Sequence, residues 1–519
     1  MKITRNLIIG NTVYMAAAGI VAQLINLFVL PLFVTRLGSD LYGVYVLGSL
    51  LLGYIGTFSA GFNEGIQKHI SDAWTKDDRP RLAEVITTGI GILFLVGVLL
   101  GGVAFLGADA LMRFFRVEQQ HYTQAVALLR LCGGFAVFYW PMQITTLILR
   151  ARLRLKLVGV LTAMETVVHS IVMVVSVLFI KQLYLIKAAE LSVRLLFWVP
   201  TLILAVRLLP PLNWRWFRIR PERAGEMSRF SFGMMYGAVL SLLTTRIDSL
   251  VIGRMIGMSS ITAYTVVSKY FYIIRQYVGM LYSNIMPTIY NLCAQGDTAR
   301  MEKFLNRGIR YRAMVSFPFA FAGLVIIRPF IQLWMGNDFA SHAIWGELMA
   351  LIPLFTAQGF AQAVVRGSGQ VRACNVIYSV QVFSNLIISV ALTPVFGIGG
   401  PVLGTLLTVI FIGDVVFYPY YCKLLKMSCR EAYITVLKTA ACCIPPVLIA
   451  RWITAVRPVE SWIELILLSA GVVSVQYLIL MFMMLDREDA RNIGTVIGHI
   501  PVIGKKCEQM FFKIIRQAE

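Results

Sequence analysis

The chain has little charge. Only 14% of its 519 residues are Asp, Glu, Lys or Arg, where a soluble domain carries about 25%. Apolar residues make up 58%, and the mean hydropathy is +0.75. That balance excludes a soluble enzyme, and equally a disordered or fibrous chain. Histidine is scarce: His69, His121, His169, His342 and His499 are scattered, and no HExxH occurs. Gly498 to Lys506 only mimics a phosphate-binding loop, being one residue too long and ending in Lys506 where Ser or Thr is needed. None of the eight cysteines forms a CxxC, and none falls in a loop on the side opposite the termini. Disulfides and metal ligation are therefore not expected. A membrane enzyme of glycan or lipid assembly would need a nucleophile, carboxylate pair or metal set at a membrane surface, and none is visible. No enzymatic activity is expected.

What is present is one apolar run after another. A helix needs about 20 apolar residues to cross a bilayer. On that criterion the spans lie near 7–34, 41–66, 83–107, 122–149, 157–180, 186–209, 230–256, 261–288, 311–335, 344–366, 373–394, 400–421, 435–454 and 461–485. The fold class is an all-α polytopic membrane protein of about 14 transmembrane helices. An even number puts both termini on one side, and the basic residues choose it. Arg36, Arg113, Arg116, Lys181, Lys187, Arg451 and Arg457 lie on the opposite side, against 33 basic residues on the side of the termini. The positive-inside rule then places both termini in the cytoplasm. The net charge of +21 is chopped into short blocks between spans, so nucleic acid is not an expected partner. Two segments, near 291–310 and 505–517, are amphipathic and basic and suit helices lying on the inner membrane surface.

The two halves match at a constant offset of 219 residues. Gly38, Tyr45, Ile70, Asp78, Arg81 and Gly89 fall on Gly257, Tyr264, Ile289, Asp297, Arg300 and Gly308. The offset spans six helices, so both repeats enter from the same side and are related by an axis along the membrane normal. The expected layout is two pseudo-twofold-related six-helix bundles, 1–209 and 230–421, joined by a basic linker, 210–229. Two extra helices, 422–485, and a basic amphipathic tail, 486–519, follow. Parallel repeats of this kind favour a transporter that binds cargo between bundles near the midplane.

Local motifs point to a family. The stretch from Pro31 to Tyr45, PLFVTRLGSDLYGVY, resembles the signature at the first helix turn of the oligosaccharide (polysaccharide-export) flippases of the multidrug/oligosaccharidyl-lipid/polysaccharide superfamily. Arg246 to Arg254, RIDSLVIGR, on to Tyr264 is similar to that family's seventh-helix pattern. So are Met286-Pro287 with Gly296-Asp297, and Arg366 to Arg372. The resemblance spans roughly residues 1–430. It implies transfer of undecaprenyl-diphosphate-linked oligosaccharide from the inner to the outer leaflet of the bacterial cytoplasmic membrane, for cell-surface polysaccharide biosynthesis. It further implies alternating access without ATP, coupling to H+ or Na+ as in an antiporter, a cationic central cavity for the head group, and a lipid-facing gap between helices one and eight for the tail. No cofactor is expected. The expected partners are the glycan lipid, membrane lipids and other polysaccharide-assembly proteins, and the expected state is a monomer. Peptidoglycan-precursor flippases and multidrug/toxin exporters are the alternatives within the superfamily. A non-transporting scaffold would leave the buried charges unexplained.

Ionisable residues inside spans carry the functional reading in their own right, because burying them is costly. Arg246 and Asp248 lie on helix seven, and Lys269 and Arg275 on helix eight. Arg246 and Lys269 are twelve and eleven residues from the turn near Met258, which puts them at matching depth. Two readings stand: Arg246, Lys269, Arg275 and, farther out, Arg130 line a cavity for an anionic diphosphate or acidic sugar, or Asp248 is the hub of a buried structural network that takes in Lys269. Arg194 has an intrahelical neighbour in Glu190, four residues earlier, and is read as structural; Arg130 has none. Coupling to an ion needs a group that titrates or binds a cation. The candidates are Asp248, Asp414 near the middle of helix twelve, and Glu165 with His169 on one face of helix five. Asn11, Gln23, Asn26, Gln358 and Gln362 suit interhelical glue.

Overall fold

The computed structural model describes residue 23 and residues 25–484, except 296–297, 356–357, 368–369 and 426. All regular structure among the described residues is helical. Among the described residues each predicted span holds helix, the first of them from Ile25 onward: α1 Ile25–Leu37, α2 Ser39–Thr75, α3 Arg79–Leu106, α4 Gln119–Ala151, α5 Leu155–Phe179, α6 Leu183–Leu208 and α7 Pro221–Met255. There follow α8 Met258–Gln295, α9 Thr298–Met335, α10 in two pieces (Ala343–Phe355 and Gln358–Gly367), α11 Val371–Phe396, α12 Gly399–Leu425, α13 Arg430–Val456 and α14 Trp462–Met484. Among the described residues nine helices are long and apolar enough to cross a membrane, or ten with the bent α7. Many of their apolar side chains are exposed, including Leu196, Leu448 and Ile466. In water such a surface would drive aggregation; here it is the face presented to lipid. The protein is a multi-pass membrane protein.

The repeat read from sequence reappears at the helix ends. Adding 219 to the start of α2 gives the start of α8, and adding it to the start of α3 gives the start of α9. The turn glycines Gly38 and Gly257 both have positive φ, +88° and +143°, where a side chain would be strained. Beyond these turns the two hairpins meet about a local two-fold. The Ser259 amide donates to Asp40 Oδ1 at 3.1 Å, and these residues are themselves 219 apart. Thr262 Oγ1 donates to the Ser39 carbonyl at 2.6 Å. At the mirrored position, Gly43 packs so closely that a Cβ there would lie 2.0 Å from the Met258 carbonyl oxygen.

One expectation changes. The basic stretch near 291–310 is not a separate surface helix: from Thr298 it is the first part of α9, a continuous 38-residue helix. No Gly or Pro breaks the early turns strongly enough to end it, and at about 1.5 Å per residue it reaches about 57 Å, well beyond the apolar thickness of a bilayer.

The chain divides into two compact units, one from the N-terminus to Tyr264 with Leu386–Pro401, the other Thr265–Asn385 with Val402 onward. In the first, Phe62, Ile66, Ile70, Leu82, Leu93, Trp140 and Ile144 form a buried core where α2, α3 and α4 meet. In the second, α9 packs on α13 and α14 through Phe317, Ala320, Val325, Cys443, Val447 and Val472.

Candidate functional site

The first unit buries a carboxylate among three helices. Glu190 of α6 is 5% exposed. Its Oε2 accepts from the Tyr45 hydroxyl of α2 at 2.6 Å and from Lys187 Nζ, one turn back on α6, at 2.7 Å. Its Oε1 lies 3.1 Å from His169 Nε2 of α5. Lys187 also donates to Ser49 Oγ at 3.2 Å and rests over the Tyr45 ring. A buried ion pair is tolerated when both ions keep further partners, as these do. Two sequence readings are corrected here. Lys187, counted among the loop cations, is 3% exposed and inside the unit. Arg194 is not the partner that Glu190 uses: its Nη1 donates to the Tyr139 hydroxyl at 3.1 Å, and its guanidinium lies over that ring.

His169 also reaches a cavity of about 360 Å³ between α4, α5 and α6, whose wall includes Glu165, Thr166, Arg194, Trp198 and Tyr139. Helical spacing of four therefore brings Glu165 and His169 together on one wall. Arg130 is elsewhere and has a counter-charge that sequence spacing did not reveal. Its Nη2 lies 2.6 Å from Asp109 Oδ2, both side chains are nearly half exposed, and the Tyr122 hydroxyl braces Asp109. Arg130 is thus a half-exposed cation with its own counter-ion.

The α7 helix bends by 53° between Thr244 and Arg246, so Arg246 opens its second limb. The Arg246 side chain is exposed and makes no ion pair among the described residues. Asp248, two residues on, is 4% exposed, and its Oδ2 accepts from the Tyr264 hydroxyl at 2.6 Å. In the second unit Lys269 and Arg275 project from α8, both half-buried, and neither makes an ion pair among the described residues. Their helix is fixed by Tyr270, whose hydroxyl donates to the Phe319 carbonyl at 2.8 Å, and by Gly346, which lets α10 approach the Val267 carbonyl. Tyr264 and Tyr270 thus serve hydrogen bonding between helices.

Asp414 is buried in a π-helical stretch, Thr408–Phe417, within α12. Such stretches insert a residue into the helical turn and are frequent at functional sites. The Tyr433 hydroxyl of α13 donates to the backbone carbonyl of Asp414 and ties the two helices together there. Sequence reasoning also passed over Arg312 of α9. That guanidinium is 1% exposed, and all three of its nitrogens are without a hydrogen-bond partner among the described residues. Only its place near the end of a predicted span could have marked it. Asn11 and the 505–517 segment lie outside the described residues.

An all-helical membrane protein with this order of helices has relatives. The sequence matches the family model described as polysaccharide biosynthesis protein over residues 36–344, well over half of the chain. The chain belongs to that family. The match runs from the first helix turn, through the repeat boundary at Gly257, to the start of α10. Solved structures resemble this polysaccharide biosynthesis protein closely in fold and distantly in sequence. A lipid II flippase MurJ in an inward closed conformation aligns with TM-score 0.71 at 12% identity, covering 93% of this chain and 99% of its own. An inward-facing multidrug resistance MATE family transporter of the MOP superfamily aligns with TM-score 0.64 at 14% identity, covering 78% and 96%. A MOP superfamily transporter from Pyrococcus furiosus, described by the reverse polarity of its binding pocket, aligns with TM-score 0.56 at 14% identity, covering 80% and 95%. No curated protein matches by sequence. At such identities the structural likeness establishes the fold, which is that of the MOP transporters.

Proposed function

We propose that the protein is a flippase for a polyprenyl-diphosphate-linked oligosaccharide, carrying it from the inner to the outer leaflet of the bacterial cytoplasmic membrane for cell-surface polysaccharide assembly. The family and the MOP fold support a transporter of this class. The observation that carries the cargo reading is that Arg246 on α7 of the first unit, and Lys269 and Arg275 on α8 of the second, each lack an ion pair among the described residues. A structural network would match these charges; an anionic cargo supplies what they lack. Arginine suits a two-point grip on phosphate oxygens, and lysine serves as a point charge. In this reading both termini are cytoplasmic, the cargo enters from that side, and alternating access delivers it outward without chemistry on the glycan.

Coupling to an ion gradient would use a carboxylate or histidine away from these cations. Glu165 with His169, on the wall of the polar cavity in the first unit, and Asp414 in the π-helical stretch are the candidates. Asp248 is the weaker one, because Tyr264 already holds it.

The test uses inside-out vesicles holding labelled polyprenyl-diphosphate oligosaccharide, with its arrival on the lumenal leaflet as the readout. Wild type translocates; Arg246→Ala and Arg275→Ala lose translocation at unchanged protein level; Asp414→Asn loses dependence on the gradient. No translocation above empty vesicles, for any glycan lipid native to the host, would move the reading to drug export.

A further inference from the structure

Where α13 turns into α14, the second unit carries a charge imbalance that transport of a glycan lipid does not use. A cavity of about 410 Å³ lies between α9, α10 and α13. Leu324, Arg328 and Gln332 give it one stripe of α9 at four-residue spacing, Glu347 comes from α10, and Arg451 from α13. Arg451 Nη1 donates to the Leu324 carbonyl at 3.0 Å and lies 3.6 Å from Glu347 Oε2. The Glu347 side chain is buried, whereas Arg328 makes no ion pair among the described residues. Two guanidiniums therefore share one cavity with a single carboxylate.

The depth of the cavity says what can balance them. Arg451 is five residues before the end of α13, Glu347 four residues into α10, and Arg328 eight residues before the Gly336 turn. At about 1.5 Å per residue they lie about 6–12 Å inside the helix ends. A helix the length of α13 is about 40 Å long against an apolar core of about 30 Å, so the core begins about 5 Å inside each end and these groups lie from the head-group boundary to about 7 Å beneath it, within reach of an arginine side chain. The aromatic rings agree: Phe330 stacks on Trp334 at 5.2 Å and meets Trp462 edge-on at 6.0 Å, the kind of cluster that marks a membrane interface. Next to it Trp452, Ile453, Val456 and Ile463 are exposed and apolar.

We propose that this cavity binds an anionic phospholipid, with Arg328 and Arg451 holding the phosphodiester and the acyl chains lying along the exposed apolar edge of α13 and α14. An arginine that merely snorkels needs only water at its tip. Arg451 is instead pinned by the Leu324 carbonyl beside Glu347, which fixes its guanidinium in the cavity wall. Glu347 cancels one of the two positive charges, and the surplus selects a net-negative head group over a zwitterionic one. The site stands whether or not the chain is a flippase.

Native mass spectrometry of the purified full-length protein, loaded with equal phosphatidylglycerol and phosphatidylcholine, tests this. Wild type retains phosphatidylglycerol preferentially, and Arg328→Ala and Arg451→Ala each weaken that retention about tenfold, the equivalent of one charge-assisted contact. Glu347→Gln tightens it by removing the competing carboxylate; a Glu347–Arg451 bridge with a purely structural role would leave retention unchanged. Excess inorganic phosphate leaves the lipid bound, whereas complete displacement would make soluble phosphate the ligand and overturn the proposal. Equal retention of both lipids would also overturn it. So would undiminished retention in Arg328→Ala, a variant that removes no described ion pair and is expected to fold, with its unfolding temperature checked against wild type.

Discussion

Tyr45 and Tyr264 occupy the same position of the two repeats, and each donates to a buried carboxylate at 2.6 Å. The surroundings differ. Glu190, the partner of Tyr45, is also bonded to Lys187, with His169 at 3.1 Å from its other oxygen. On the side of Tyr264, the cation nearest to Asp248 along the chain is Arg246, which is exposed, opens the second limb of a bent helix and makes no ion pair among the described residues. Duplication kept the tyrosine and changed the use of charge. The first repeat neutralises its lysine internally; the second leaves its arginine exposed and without an ion pair among the described residues.

The comparison can be broken most visibly at Arg246. Arg246→Ala is expected to cut translocation tenfold or more, about the effect of one lost charge-assisted contact to a phosphate, while leaving the unfolding temperature near wild type. Glu190→Ala should do the reverse. Leaving Lys187 buried without its counter-ion costs about 3–5 kcal/mol, read as a large drop in thermal stability in detergent, and the double change Lys187→Met, Glu190→Leu should recover most of it. Unchanged stability in the single variant would mean that the network is not closed as described. Next comes the two-fold contact between the hairpins. Gly43→Ala forces a methyl group against the Met258 carbonyl and should cost about 1–3 kcal/mol, whereas Thr262→Ala at the mirrored position loses one hydrogen bond, about 1 kcal/mol. The smallest effect sharpens the comparison: Tyr45→Phe and Tyr264→Phe each lose one bond to a carboxylate and should fall within about 1 kcal/mol of each other. A large gap between them would mean that the shared tyrosines do different work.

The helices and the repeat were legible in the sequence because both rest on local signals. Apolar runs of bilayer length mark spans, and turn glycines at Gly38 and Gly257 mark matching hairpins, so the 219-residue offset reappears at the ends of α2 and α8. The pairing of charges was not legible. Glu190 takes Lys187 three residues before it rather than Arg194 four residues after it, because α2 and α5 bring Tyr45 and His169 to that side. Arg130 meets Asp109 across 21 residues of sequence, a distance with no periodic signature. The π-helical stretch around Asp414 likewise leaves no mark in composition, and the basic start of α9 read as a surface helix only because the unbroken run from Thr298 was judged by its charge. The cations Arg246, Lys269 and Arg275 stand out in the sequence because charge inside an apolar run is itself a local signal.

The central claim is that unmatched cations hold the cargo and matched ones hold the fold. The direct measurement is translocation of labelled polyprenyl-diphosphate oligosaccharide by Arg275→Ala and Arg130→Ala side by side, at equal protein level. The account predicts that Arg275→Ala loses translocation and that Arg130→Ala, which breaks only the ion pair with Asp109, keeps it. Translocation lost in Arg130→Ala and kept in Arg275→Ala would contradict it.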